Sequence, residues 1–176
     1  MAILSDGVRT RHVILPGGTG QEETSLQQRP IPYQVALRRI GRFLDDARAW
    51  RVQVLESRHE FIIRFQRNPD DLGMEVMSVA FEELTSLSGE IEHKRRRGTF
   101  ESEGSAGYEN IFRLLGRDFD GLQAYNLLID EIEDGFFVTY HYLDPARSFT
   151  PRKRMATIEH AAVHEALLEI RASRSG

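Results

Sequence analysis

The chain of 176 residues contains no cysteine. That excludes disulfides, thiolate nucleophiles and cysteine-held zinc or iron–sulfur centres. An excess of positive charge is missing too. Lys+Arg number 23 against 27 Asp+Glu, a formal net charge of −4, so there is no global field of the kind that draws nucleic acid non-specifically. No apolar run approaches the roughly 20 residues that a membrane-spanning helix needs. The opening "MAILSDGVRTRHVILPGG" lacks the order of a secretory signal: basic start, apolar block, small-residue cleavage site. No motif names a reaction. These absences predict a soluble, cytoplasmic protein with no membrane partner and no cofactor.

What is present is a phrase written twice. Tyr33–Arg67 aligned without gaps on Tyr108–Tyr142, a shift of 75, gives identities at Tyr33/Tyr108, Arg38/Arg113, Gly41/Gly116, Arg42/Arg117, Asp45/Asp120, Ala49/Ala124, Glu56/Glu131 and Phe61/Phe136. Eight matches in 35 positions exceed the about 2 that composition alone supplies. The apolar near-matches follow physical periods. Ala36/Ile111, Leu37/Phe112, Ile40/Leu115 and Leu44/Phe119 fall at helical spacing. Val52/Leu127 and Val54/Ile129, then Phe61/Phe136, Ile63/Val138 and Phe65/Tyr140, alternate as strands do. The period changes at the same place in both copies, which predicts an internal tandem duplication.

Each copy reads as α-β-β-(β)-α, giving an α+β protein with antiparallel sheet and helices packed on it. Residues 1–32 are expected to be a disordered or extended arm, 33–97 the first unit, 98–107 a linker and 108–176 the second unit. Asp134-Gly135 predicts a type I′ hairpin turn. In the first unit a third strand over Met74–Val79 is expected to lead into a helix from about Ala80 to Arg97. In the second, Thr150-Pro151 could open a helix. Alternatively Arg152–Ala156 is a strand and the helix starts near Thr157, an order favoured by pairing Phe81 with Ile158 and Ile91 with Leu168 at a shift of 77. Over roughly residues 33–174 this element order resembles the two-unit α/β fold of YbjN-type proteins and type III secretion chaperones. The resemblance implies a protein-binding role without catalysis.

Several clusters invite a chemical reading. Lys94, Arg95, Arg96 and Arg97 could hold phosphate, nucleic acid or an acidic partner; cations closing a helix before Gly98 serve the macrodipole equally well. His160 and His164, four apart on one helix face, could share a metal, although Ala161 stands where a metalloprotease carries glutamate. Tyr140, His141, Tyr142 and Asp144 mix acid–base groups, but strand alternation divides them between two faces. "PGGTGQ", Pro16 to Gln21, lacks the features of a phosphate loop. Gly41 and Gly116, mid-helix at a cost of about 1 kcal/mol against alanine, predict a close approach to a sheet or to the other copy. Arg42/Asp45 and Arg117/Asp120 have the spacing of ion pairs along a helix. Trp50 and Tyr125, equivalent aromatics at the head of each hairpin, are candidates to flank a common groove.

The favoured reading is a non-enzymatic protein-interaction or scaffolding module with a protein partner or a second copy of itself. The alternatives are a ligand or nucleic-acid binder acting through Lys94–Arg97, and a metal-dependent enzyme built on His160 and His164.

Overall fold

Apolar residues recurring every three to four positions bury Tyr33, Ala36, Leu37, Ile40 and Leu44 along one side of helix α1, Tyr33–Asp46. The same spacing buries Ile111, Phe112, Leu115 and Phe119 along helix α2, Tyr108–Gly121. Both helices end with a residue in the left-handed region, Arg48 (φ 53°) and Gln123 (φ 50°). There Ala49 N–H reaches back to the Leu44 carbonyl and Ala124 N–H to that of Phe119, closing the last turn. This computed structural model describes residues 31–67, 69–70, 73–85, 87 and 107–173. Residues 1–30, most of 98–107 and the basic run Lys94–Arg97 lie outside them.

Six strands form one antiparallel sheet: β1 Trp50–Glu56, β2 Glu60–Gln66, β3 Glu75–Ala80, β4 Tyr125–Ile132, β5 Gly135–Asp144 and β6 Thr150–Glu159. Their spatial order is β3-β2-β1-β4-β5-β6. The two units therefore join at β1 and β4, with Val54 opposite Ile129. These residues are each other's counterparts at the 75-residue shift, so a pseudo-two-fold axis passes between them. Both central strands carry a bulge, between Trp50 and Gln53 and between Tyr125 and Leu128. In each, a residue with positive φ takes the strain, Arg51 at 50° and Asn126 at 53°.

The architecture is α+β. Helices α1 and α2 lie against each other over one face of the sheet, above Val52, Val54, Phe61, Ile63, Phe65, Leu127, Ile129, Phe136 and Val138. Their contact explains the two mid-helix glycines. A Cβ at Gly116 would sit 2.6 Å from the Tyr33 carbonyl oxygen, and one at Gly41 would strike the Tyr108 carbonyl. No side chain fits there.

The shared polar residues also act across the axis. The Asp45 carboxylate accepts from Tyr108 N–H (2.8 Å) and Glu109 N–H (3.0 Å). Asp120 accepts from Tyr33 N–H (2.8 Å) and Gln34 N–H (2.9 Å). Beyond any pairing along its own helix, each aspartate thus caps the first turn of the other helix, where free N–H groups and the positive end of the dipole favour a carboxylate. Glu131 accepts from Tyr108 hydroxyl (2.7 Å) and Val52 N–H (2.8 Å). Glu56 likewise accepts from Tyr33 hydroxyl and from Leu127 N–H (3.0 Å). Arg42 breaks the pattern by pairing with Glu109 at 2.9 Å, because Gln34 stands in the corresponding place for Arg117.

Three local expectations need correction. The turn between β4 and β5 is Glu133–Asp134, with Ile132 facing Gly135. Neither turn residue has positive φ, so the turn is not type I′. Gly135 is needed instead because a Cβ there would collide with the Ile158 carbonyl on β6. Ala80 ends β3 and is followed by a short 3-10 turn, Glu83–Thr85, not by a helix beginning at Ala80. Finally, Thr150 and Pro151 open β6, an edge strand where proline is tolerated. Helix α3 then runs from His160 to Ala172, starting after Thr157. The strand alternative holds, but the shift of 77 does not: Val79 faces Phe61 as Ile158 faces Phe136.

The axis contacts carry a pH dependence. Burial, and then the Glu131 charge, hold the ionisation of Tyr108 well above its ordinary value; burial raises Tyr125 and Tyr140 in the same direction. The unfolded chain releases these protons near the ordinary tyrosine value of about 10, while the folded chain retains them. This contribution is therefore fully present below about pH 10 and is lost progressively above it. Urea unfolding should give a constant midpoint from pH 7 to 9 and a falling one towards pH 11. Tyr108→Phe should start less stable, through loss of its hydrogen bond, and fall less steeply.

Candidate functional site

The helices α1 and α2 cover one face of the sheet, and the side chains of the opposite face follow from alternation and register. Leu55 lies between Val54 and Glu56, whose side chains face the helices and the axis, so it projects to the other side. Register then builds a transverse row through all six strands: Ser78, Ile62, Leu55, Leu128, Thr139 and Met155. Four of the six are apolar, and Leu55 remains 38% exposed. The neighbouring row reads Val76, Arg64, Gln53, Asp130, Phe137 and Thr157. Its centre is tied together by Arg64 donating to Gln53 Oε1 (3.4 Å) and Gln53 Nε2 donating to Asp130 Oδ1 (3.3 Å). Val76 and Ile132 are further exposed apolar side chains on this face. Charges border the rows, with Glu60 on β2 bonded to Ser78 hydroxyl and Lys153 on β6 opposite His141.

Trp50 and Tyr125 do not meet. Because β1 and β4 run antiparallel about Val54 and Ile129, residues four places before each centre are thrown to opposite ends, roughly 25 Å apart at about 3.3 Å per residue. Trp50, half exposed, lies opposite Gln66. Tyr125 stacks on His141 at a centroid distance of 5.5 Å. Burial, and then the Lys153 charge, lower the His141 pKa, so the ring is neutral at neutral pH.

The other candidates are also separated. Tyr140 and Tyr142 face the helix side, His141 the open side, and Asp144 caps the turn after β5 by accepting from Ala146 N–H (3.0 Å). His160 packs edge-on against Phe136 at 5.1 Å, while His164 is exposed. Among the described residues no three histidines or carboxylates converge as a metal site would require, so the His160/His164 metal centre gains no third ligand. No described helix is long and apolar enough to cross a membrane. The chain matches no known protein family, no curated protein and no solved structure. What it does must be argued from its own surfaces.

Sequence reading missed the two features that distinguish those surfaces. The alternation of Val52 and Val54, of Phe61, Ile63 and Phe65, and of their counterparts implies that Leu55, Ile62 and Leu128 project to the other side of their strands; Met155 stands in a segment that the sequence leaves open between strand and helix. Only the pairing of β1 with β4 places them in one line. The second feature lies on the helix side, around Tyr140 in the second unit.

Proposed function

We propose that the chain is a non-enzymatic protein-interaction module, a tandem duplication of one α-β-β-β unit, whose docking surface is the open face of its sheet. The occupant is a second copy of the chain. The observation carrying this reading is the row Ile62, Leu55, Leu128 and Met155, which no other described element covers, since apolar side chains gathered on such a face mark association surfaces. Self-pairing is supported by the charge pattern. Packed sheets keep their strands within about 30° of each other. With a two-fold axis along the strands, β2 of one copy lies over β5 of the other, and β1 over β4. Leu55 then meets Leu128, Gln53 meets Asp130, Arg64 meets Phe137, and Glu60 meets His141 beside Lys153. Every charge finds an opposite, polar or aromatic neighbour. The resemblance in element order to YbjN-type proteins and secretion chaperones points the same way, towards binding without catalysis.

Sedimentation equilibrium tests this directly. The wild type should dimerise, and Leu55→Glu with Leu128→Glu should weaken the dimer by about 30-fold or more, the equivalent of losing about 2 kcal/mol at an interface centre. Both residues lie outside the core, so far-UV circular dichroism should be unchanged. A wild type that stays monomeric at high micromolar concentration, or a dimer indifferent to these substitutions, would overturn the reading.

A further inference from the structure

The two units differ most at one place in their shared plan. In the first unit Phe43 of α1 packs edge-on against Phe65 of β2, with centroids 5.7 Å apart, and Glu75 of β3 lies opposite Phe65. In the second unit the corresponding residues are Asp118 on α2 and Tyr140 on β5, with Arg154 of β6 opposite Tyr140. One step further, Tyr142 lies opposite Arg152. An apolar contact has become a set of tyrosines, arginines and a buried aspartate on one face.

Tyr140 is fully buried, and no group accepts a hydrogen bond from its hydroxyl, which meets the Arg154 guanidinium, a donor like itself. A buried hydroxyl left this way costs about 1–3 kcal/mol, and Phe65 shows that the plan accommodates a phenylalanine there. Arg152 adds a second donor: its Nε is buried without a hydrogen-bond partner, and the nearest Asp144 oxygen is 3.9 Å away, beyond hydrogen-bond range. A guanidinium has no acceptor atoms, so both groups await the same thing, an acceptor.

We propose that Tyr140, Arg152 and Arg154 form a binding site for a small oxyanion, a phosphate or carboxylate group, on the helix side of β5 and β6. The ligand accepts from Tyr140 hydroxyl and Arg152 Nε–H, and two guanidinium charges supply the attraction. Two nearby carboxylates are shared with further arginines. Asp118 has Arg117 at 3.5 Å, and Asp144 lies 3.9 Å from both Arg147 and Arg152. Burial raises the Tyr140 ionisation above its ordinary value, with Arg154 opposing; the phenol remains a donor at neutral pH. The Arg152 side chain is 30% exposed, which places the site beside solvent at the edge strand β6. This site is independent of the open face on the other side of the sheet.

The test is thermal unfolding of the full chain titrated with inorganic phosphate and, separately, with succinate, ionic strength being held constant with chloride. A ligand that binds only the folded state raises the midpoint in a saturating manner. The wild type should show such a rise with at least one of the two anions, and the more effective one identifies the preferred group. Tyr140→Phe, which copies the phenylalanine that the first unit carries at Phe65, should fold and bind the anion about 10-fold more weakly, the effect of one hydrogen bond to a charged group. Arg152→Gln should abolish the rise. The proposal fails if neither anion exceeds the chloride control, or if Tyr140→Phe responds as the wild type does. Because Tyr140→Phe keeps the fold, it decides the matter even if Arg152→Gln is unstable.

Discussion

Replacing Gly41 or Gly116 by alanine is expected to destabilise the protein by about 3 kcal/mol, the upper part of the range for overpacking a close contact. The sign is the informative part. In an exposed helix interior the same change would stabilise by about 1 kcal/mol, because glycine is a poor helix former. Here the added carbon would lie 2.6 Å from the Tyr33 carbonyl at position 116 and would strike the Tyr108 carbonyl at position 41. Backbone cannot rotate away as a side-chain tip can. The helices must separate, and the capping bonds from Asp45 and Asp120 lengthen with them. Urea denaturation of each single variant measures the effect. A rise in stability would mean that the helices do not touch at these glycines.

Glu131→Ala is expected to cost about 3–4 kcal/mol, reflecting two hydrogen bonds to a charged acceptor at about 1.5–3 kcal/mol each, discounted for partial exposure. The substitution leaves Tyr108 hydroxyl and Val52 N–H without their acceptor. Glu56→Ala should do the same to Tyr33 hydroxyl and Leu127 N–H. Glutamine at either position should fall between, since it retains an acceptor oxygen but not the charge. The two sites lie on opposite sides of the axis and share no partner, so their effects should add within about 0.5 kcal/mol. A change within about 0.5 kcal/mol for the single alanine variants is what an ordinary surface carboxylate would give. That outcome would remove these glutamates from the account of the fold.

Much of this fold was legible, and the reason is local. The helical stripe from Tyr33 to Leu44 and the alternation of Phe61, Ile63 and Phe65 depend only on near neighbours in the chain. The identities at Tyr33, Gly41, Asp45 and Glu56 and their counterparts were visible too, but their meaning was not. Asp45 stands three residues after Arg42, which suggests a pair along one helix; its partners are the Tyr108 and Glu109 amides, 63 and 64 residues away. Nothing local announces such a partner. The same limit applies to both candidate sites. The row through Leu55 and Leu128 exists only once β1 pairs with β4, and the set at Tyr140 stands out only when Phe43 and Phe65 are placed beside Asp118 and Tyr140. Trp50 and Tyr125 misled for the converse reason. Matching places in the two halves of the sequence say nothing about proximity when the axis runs between them.

Reciprocal capping has a kinetic and mechanical consequence. Helix α1 receives its N-terminal acceptor from α2, and α2 receives its own from α1. Neither first turn is complete until the halves have met, so little is gained by folding one half early. A chain built this way should cross its barrier in one step, with β1 and β4 joining as the helices dock. The reverse also holds. Fraying of either helix start withdraws a contact from the other half, so local opening spreads across the axis instead of staying where it began. The middle of the molecule, the seam between two units, would then be among the last regions to exchange its amide protons.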